Sequence, residues 1–367
     1  MQFAGMEMMT LVAPFNIATL AGYRCCYFVL RGDHAAKSGG DVDLARQIAR
    51  EAQAAGATVC VGSVEALPET LDATDLLLLF NIDRPYDAAV ALARAHPEGR
   101  ILLYPLHHPA AGVTKYLGRV GGPKGLLGAI ARRQPDRYEA MVDVAKAVRK
   151  FDIPRLRVAL RRNRVIARLI ERCELLVTSE IELAEISGRY GAPPHGSWLL
   201  PHPVAPYAPP GESVVPRYIL VSGRIEPRKN QLSALQGLVS MNLQDRGYEV
   251  VLAGGKGSDD GYFRATIDFA MAHGIIYVSQ LPKSLFFPFV SGATLLINAS
   301  FFEVTSLIDL YAIENGIPLV TTNHGYYAPT ATLRQVDPQA WGALPTTEII
   351  EAVDTMLNMA DSRITPP

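Results

Sequence analysis

The sequence predicts an α/β protein built from two parallel-sheet domains, and three observations carry that prediction. Short apolar runs alternate with helical patterns along the whole chain, which implies parallel strands joined by crossover helices. Apolar residues make up 49% of the 367 residues, and the mean hydropathy is +0.12. Such richness suits sheets covered on both faces. A proline-rich stretch, with Pro203, Pro206, Pro209, Pro210 and Pro216, then divides the chain. Proline fixes φ and removes an amide donor, which is linker chemistry. At roughly 150 residues per domain the length also suggests about two domains. The predicted domains are residues 1–205 and 206–367.

In the first half, residues 27–30, 58–61, 75–80, 100–106, 174–178 and 198–201 read as strands. Leu44, Ile48, Ala52 and Ala55 recur at helical spacing, and Gly56 closes that helix. In the second half, 218–221, 249–253, 275–278, 294–297 and 319–321 read as strands. Residues 232–238, 262–272, 306–315 and 348–357 read as helices, with Gly316 as a C-terminal cap. In open parallel sheets, ligands sit beyond the C-terminal ends of the strands.

Net charge is −1 and the sequence pI is about 6.7, so bulk electrostatics give no case for nucleic acid. Cys25, Cys26, Cys60 and Cys173 form no C-x-x-C pair and read as buried reduced thiols of a cytoplasmic protein. No metal site is expected. Asp41-Val42-Asp43 follows two glycines at a helix start, where Asp caps and complements the dipole. Apolar residues 1–22 lack the basic start of a signal peptide, and no run reaches the ~18 residues of a membrane span.

Charge is unevenly spread. Residues 115–172 hold sixteen Lys/Arg against five Asp/Glu, a net of +11. Within them Arg157, Arg161, Arg164, Arg168 and Arg172 recur at spacings of four, three, four and four, one stripe of one helix. Such a stripe is either a solvated face or a docking surface for an anionic membrane or a lipid-diphosphate acceptor.

Three segments carry chemistry. Residues 222–230, Ser-Gly-Arg-Ile-Glu-Pro-Arg-Lys-Asn, leave a strand and enter a helix. Gly223 allows a tight turn, and Arg224 and Lys229 offer fixed cations to a departing diphosphate. Residues 298–307 repeat the strand-to-helix passage, with Glu303 before a helix N-terminus whose amides suit an anion. Residues 316–325 read as a buried strand and a turn. Gly254, Gly255, Lys256 and Gly257 lack the spacing of a nucleotide fingerprint and read as a flexible loop. His107 and His108 follow a buried strand, where one of them could move a proton.

Together these segments resemble the GT-B retaining glycosyltransferases of family 4, best over residues 215–358. That family carries G-R-x-x-x-x-K after a strand, then E-x7-E, then a glycine and a proline. Gly223, Arg224, Lys229, Glu303, Gly316 and Pro318 match. The resemblance implies two Rossmann-like domains facing across a cleft. It implies transfer of a hexose from a nucleotide-diphosphate sugar to a glycan or lipid-linked acceptor in polysaccharide biosynthesis, with retention and without a metal or other cofactor. Arg224 and Lys229 would hold the diphosphate and Glu303 the donor sugar. The amides of Thr305, Ser306 and Leu307 would hold phosphate and sugar oxygens. Gly39 and Gly40 would admit phosphates close to the backbone, and a histidine at His107 or His108 would contact donor or acceptor. The second glutamate falls at Tyr311, with Glu314 three residues on as a substitute for ribose binding. That departure leaves open a catalytically silent protein acting as scaffold or glycan-binding partner. The expected location is the cytoplasm, with peripheral contact at the inner membrane through the arginine stripe.

Overall fold

The computed structural model describes residues 12–32, 34–35, 40–119, 135–211 and 217–364. Among these the chain forms two compact units, each with its own core. The first comprises residues 1–107 and 134–203, the second 108–133 and 204–367. The last segment of the first unit ends at Pro203, at the start of the proline-rich stretch. Residues 108–119, read in the sequence with the first domain, group with the second unit.

The first unit has six strands: β1 (Cys26–Leu30), β2 (Val59–Ser63), β3 (Leu76–Phe80), β4 (Arg100–Tyr104), β5 (Glu174–Val177) and β6 (Ser197–Leu199). They lie in the order β2-β1-β3-β4-β5-β6, every pair parallel. The five residues of β3 are all buried, as expected of a central strand covered on both faces. Cys25, Cys26 and Cys173 are buried, but Cys60 on the edge strand β2 is exposed, which corrects its reading as an interior thiol. Sequence patterning missed residues 13–15, which pair with β6: Leu199 N donates to Ala13 O at 2.9 Å and Phe15 N to Leu199 O at 2.8 Å.

The helices of this unit are α1 (Gly40–Ala54), α2 (Pro85–Arg94), α4 (Pro135–Arg149), α5 (Ile153–Leu160), α6 (Arg162–Arg172) and α7 (Glu180–Tyr190). Between α2 and α4 in the chain, α3 (Ala110–Arg119) belongs to the second unit. The expected single arginine helix is corrected. It breaks at Arg161, which has φ −115° and ψ 18° and separates α5 from α6. Arg162 turns inward at this break. It is buried, pairs with Glu139, lies 3.7 Å from both Asp83 and Asp143, and donates to Asp83 O at 3.1 Å. Burying a guanidinium requires such partners, and satisfying them costs the continuous helix.

The second unit has β7 (Tyr218–Ser222), β8 (Glu249–Ala253), β9 (Ile276–Val278), β10 (Leu295–Ile297), β11 (Leu319–Thr322) and β12 (Leu333–Val336). Their order is β12-β11-β10-β7-β8-β9, again all parallel. Its later helices are α8 (Gln231–Ser240), α9 (Asp260–Ala272), α10 (Lys283–Ser291), α11 (Leu307–Glu314) and α12 (Thr347–Ile364). Gly316 ends α11 as predicted. It has φ +67°, its N–H reaches Ile313 O, and Ile317 N reaches Ala312 O at 2.8 Å, a Schellman closure. In each unit the chain runs one way from a central strand and then returns to build the other side. The reversal falls between β1 and β3 in one unit and between β7 and β10 in the other. Such switch points leave a crevice at the carboxyl ends of the two strands.

Candidate functional site

The loops after β7 and β10 meet at the switch point of the second unit. The first loop is held by glycines. Gly223 has φ +126° and Gly254 φ +153°, values that disfavour any side chain. A Cβ on Gly254 would lie 2.0 Å from Gly223 O. Gly223 N donates to Ala253 O, Ile225 N to Gly255 O and Gly257 N to Ile225 O. The 254–257 segment, expected to be a flexible loop, therefore braces the loop after β7.

Pro227–Lys229 then form one 3-10 turn, closed by Asn230 in the left-handed region at φ +56°. Asn230 Nδ2 donates to Pro338 O at 2.9 Å. This turn presents Lys229 and Arg228 to the second loop. Lys229 Nζ pairs with Glu303 Oε1, and Arg228 Nη1 lies 3.6 Å from Glu303 Oε2. Arg228 also donates to Phe302 O at 3.1 Å, lies 5.2 Å from the Phe302 ring centroid, and accepts a strand-like contact through its own carbonyl, from Phe301 N at 2.9 Å. Arg224 is exposed.

Burial alone would push the Glu303 carboxyl up, but Lys229 and then Arg228 override it and hold it down at about 2. An ionised carboxylate only accepts hydrogen bonds. The site thus offers an acceptor of hydroxyl protons beside a cation that can be shared with an anion. Two further polar atoms, Thr305 Oγ1 and His324 Nε2, are buried and make no hydrogen bond among the described residues. His324 O accepts from Glu303 N at 2.9 Å. Burial, helped by Lys115, pulls the His324 ring down to about 4, so it is neutral near pH 7.

Behind the loop lies Asp309, fully buried. Its Oδ2 accepts from Asn298 Nδ2 at 2.8 Å and Thr321 Oγ1 at 2.7 Å, and its Oδ1 from Ser306 Oγ at 3.0 Å. Burial still raises its pKa above the ordinary aspartate value. From within α11, Asp309 thereby ties together Asn298 just after β10, Thr321 of β11 and Ser306 just ahead of α11, bracing residues 298–306.

The structure distributes the sequence-predicted residues unevenly. Gly223, Lys229 and Glu303 come together, with Arg224 on the first loop and Thr305 two residues past Glu303 on the second. The amide of Ser306 is already committed, donating to Tyr327 OH at 2.8 Å. The Ser306 hydroxyl caps α11, and Leu307 is exposed. Tyr311 faces away: it is buried, and its hydroxyl accepts from Ala208 N at 2.9 Å and lies 2.7 Å from Ser291 Oγ. Glu314, the last residue of α11, is exposed. Gly39 lies outside the described residues, while Gly40 opens α1 beside Asp41, which pairs with Arg31 at 3.0 Å.

The two histidines separate. His107 belongs to the first unit and is buried, with Nδ1 2.7 Å from Asp83 and Nε2 2.9 Å from Arg189 Nη1. A guanidinium only donates, so Nε2 accepts and Nδ1 carries the proton. Both ring nitrogens are engaged within the first unit. His108 belongs to the second unit and meets the Phe302 ring edge-to-face at 5.0 Å.

Sequence reasoning missed Arg228, Asp309, His324 and α3. Arg228 sat inside the quoted motif, and Ser306-x-x-Asp309 has the spacing of a capping box. Nothing local marks α3, whose Gly112 packs so closely that a Cβ would lie 2.5 Å from Phe301 O and 2.8 Å from His324 Cβ.

No protein-family model matches the chain, and no curated protein matches it by sequence. Solved structures do. The sucrose-phosphate synthase of Thermosynechococcus elongatus superposes with a TM-score of 0.58 at 16% identity, over 93% of this chain and 98% of the other. Anabaena HepE in complex with UDP gives 0.54 at 11%, covering 92% and 95%. A glycosyltransferase from Rickettsia africae gives 0.54 at 10%, covering 93% and 92%. At these identities the likeness establishes the fold, GT-B, as the sequence predicted.

Proposed function

We propose that the protein transfers a hexose from a nucleotide-diphosphate sugar to a hydroxyl of a glycan or lipid-linked acceptor, with retention and without a metal. The observation that carries this reading is the Lys229–Glu303 pair at the β7–β10 switch point. It combines an ionised hydrogen-bond acceptor for sugar hydroxyls with cations for a diphosphate. In the transfer, the C1–oxygen bond to the donor phosphate breaks and its electron pair leaves on the diphosphate. The acceptor oxygen bonds C1 on the same face, and its proton passes to a phosphate oxygen. Lys229 and Arg224 stabilise the charge gathered on the leaving group, and Arg228 holds Glu303 in place. His108, rather than His107, is the histidine able to contact a ligand of this unit. Structures of similar fold seen with UDP and UDP-glucose support a nucleotide-sugar as ligand.

The test is thermal unfolding against UDP, GDP, ADP and their sugar conjugates, each with and without chelator. A ligand bound only by the folded state at about 100 times its Kd stabilises by about 2.7 kcal/mol. The expected result is a shift with one nucleotide, unchanged by chelator and lost in Lys229→Ala. A second reading has its own observation, the burial of Tyr311, whose hydroxyl meets Ala208 and Ser291, where the family places a ribose-binding glutamate. If no nucleotide or nucleotide-sugar shifts unfolding, the catalytically silent scaffold or glycan-binding reading replaces transfer.

A further inference from the structure

Helices α4 and α5 form a hairpin in the first unit whose outer surface is unusual for a soluble protein. Met141, Val148, Phe151, Ile153 and Leu160 are all exposed. Phe151, at the turn, is 92% exposed and has φ +52°, a conformation uncommon for a bulky residue. Val148 is 54% exposed, Ile153 60% and Leu160 69%. Ile153, Arg157 and Leu160 recur at spacings of four and three, so they share one face of α5. Exposed Arg149, Lys150, Arg157, Arg161 and Arg164 are interspersed with these apolar residues along the chain. Between residues 148 and 164 the sole acid is Asp152, and it is used inside the hairpin, pairing with Arg155 at 3.0 Å.

The inner side of the same hairpin roofs a cavity of about 520 Å³ at the β1–β3 switch point. Arg31 after β1 and Arg84 after β3 line it, with Lys146, Lys150 and Arg155 from the hairpin. Three acids also line it, Glu65, Asp87 and Asp143. Two of these are engaged within the protein. Asp143 lies 3.5 Å from Lys146 and 3.7 Å from Arg162, and Asp87 lies 3.8 Å from Arg155. Five cations against three acids leave the lining net positive. Lys150 belongs to both the cavity and the apolar tip.

We propose that the first unit docks on an anionic lipid surface, with the α4–α5 tip inserted at the headgroup boundary and a lipid phosphate seated in the cavity beneath. Apolar side chains interspersed with cations are the composition of an interfacial element, whose binding adds buried apolar area to attraction for anionic lipid. Each cation near such a surface adds attraction that salt screens. The surface differs from the arginine stripe read in the sequence. That stripe is broken at Arg161, and Arg172 donates to Pro97 O at 3.1 Å.

The experiment is co-sedimentation of the full chain with vesicles of phosphatidylcholine alone or mixed with phosphatidylglycerol. The expected result is binding to the mixed vesicles only, weakened at least tenfold by raised salt. The double variant Phe151→Asp/Ile153→Asp should lose this binding while unfolding at the wild-type temperature. Arg84→Ala should weaken it without abolishing it, and free glycerol phosphate should not replace the vesicle. The thermal response to nucleotide should be the same in all variants, so failure here is distinguishable from failure at the donor site. Equal binding to both vesicle types, none to either, or undiminished binding by the double variant overturns the proposal. A dimer that disappears in the double variant, without vesicle binding, also overturns it and assigns the tip to a second copy.

Discussion

At Glu303 burial and charge oppose each other, and the outcome has a measurable pH signature. Its folded pKa, about 2, lies below the ordinary carboxylate value. Its contribution to stability is therefore complete above about pH 5 and is lost as pH falls toward 2. A depression from 4.5 to about 2 corresponds to on the order of 3 kcal/mol of pH-dependent stability. The stability difference between wild type and Glu303→Gln, followed by denaturant unfolding, should shrink by about 2 kcal/mol between pH 6 and pH 3. A difference constant across that range would mean that the cations do not hold the carboxylate. Asp309 works in the other direction, as a buried acid held by three donors. Asp309→Ala leaves Asn298, Thr321 and Ser306 without their shared acceptor. Unsatisfied buried groups cost about 1–3 kcal/mol each, so this variant should lose several degrees of Tm and nucleotide response together.

At the scale of elements, α3 is the piece that sequence order misplaces. Its contacts lie in the second unit: Lys115 pairs with Asp337 at 2.5 Å, Arg119 reaches Asn230 Oδ1 at 3.2 Å, and the Tyr116 ring lies tilted 5.6 Å from that of Phe301. Gly112 admits the helix to the Phe301–Phe302 backbone, where no Cβ fits. Gly112→Ala should cost about 1–3 kcal/mol by overpacking. Because Phe302 touches Arg228, it should also weaken nucleotide binding more than Gly188→Ala, whose Cβ meets nothing within 4 Å. Equal behaviour of the two variants would separate α3 from the site. The break between α5 and α6 is explained at the same scale. Arg161 leaves helical geometry, and the neighbouring Arg162 turns inward to meet Glu139, Asp83 and Asp143.

At the scale of the molecule, two units repeat one plan, and each has a crevice at its switch point. The donor chemistry proposed above belongs to the second unit alone. Nucleotide binding should therefore slow amide exchange in residues 222–230 and 298–307 while leaving 81–84 unchanged. Exchange measured with and without nucleotide checks this, and protection confined to 81–84 would move the nucleotide to the other crevice. Among the described residues no helix is long and apolar enough to cross a membrane, so the proposed lipid contact is one of surface.

The sequence by itself determined the strand-helix alternation and the Gly316 cap, because each rests on local periodicity or on the backbone limits of glycine. It also marked the two loops that carry Lys229 and Glu303, through charged residues set between a strand and a helix. Tertiary structure decided the rest. That Lys229 and Glu303 pair follows from β7 and β10 being neighbours, and strand order is a long-range choice that no local pattern records. The same holds for Arg228, which faces Glu303 while Arg224 faces solvent, and for His107 and His108, which adjoin in sequence and pack in different units. Burial is a property of the assembled chain, and burial is what turned Tyr311 into a structural tether, Asp309 into a brace and Arg162 into an interior ion.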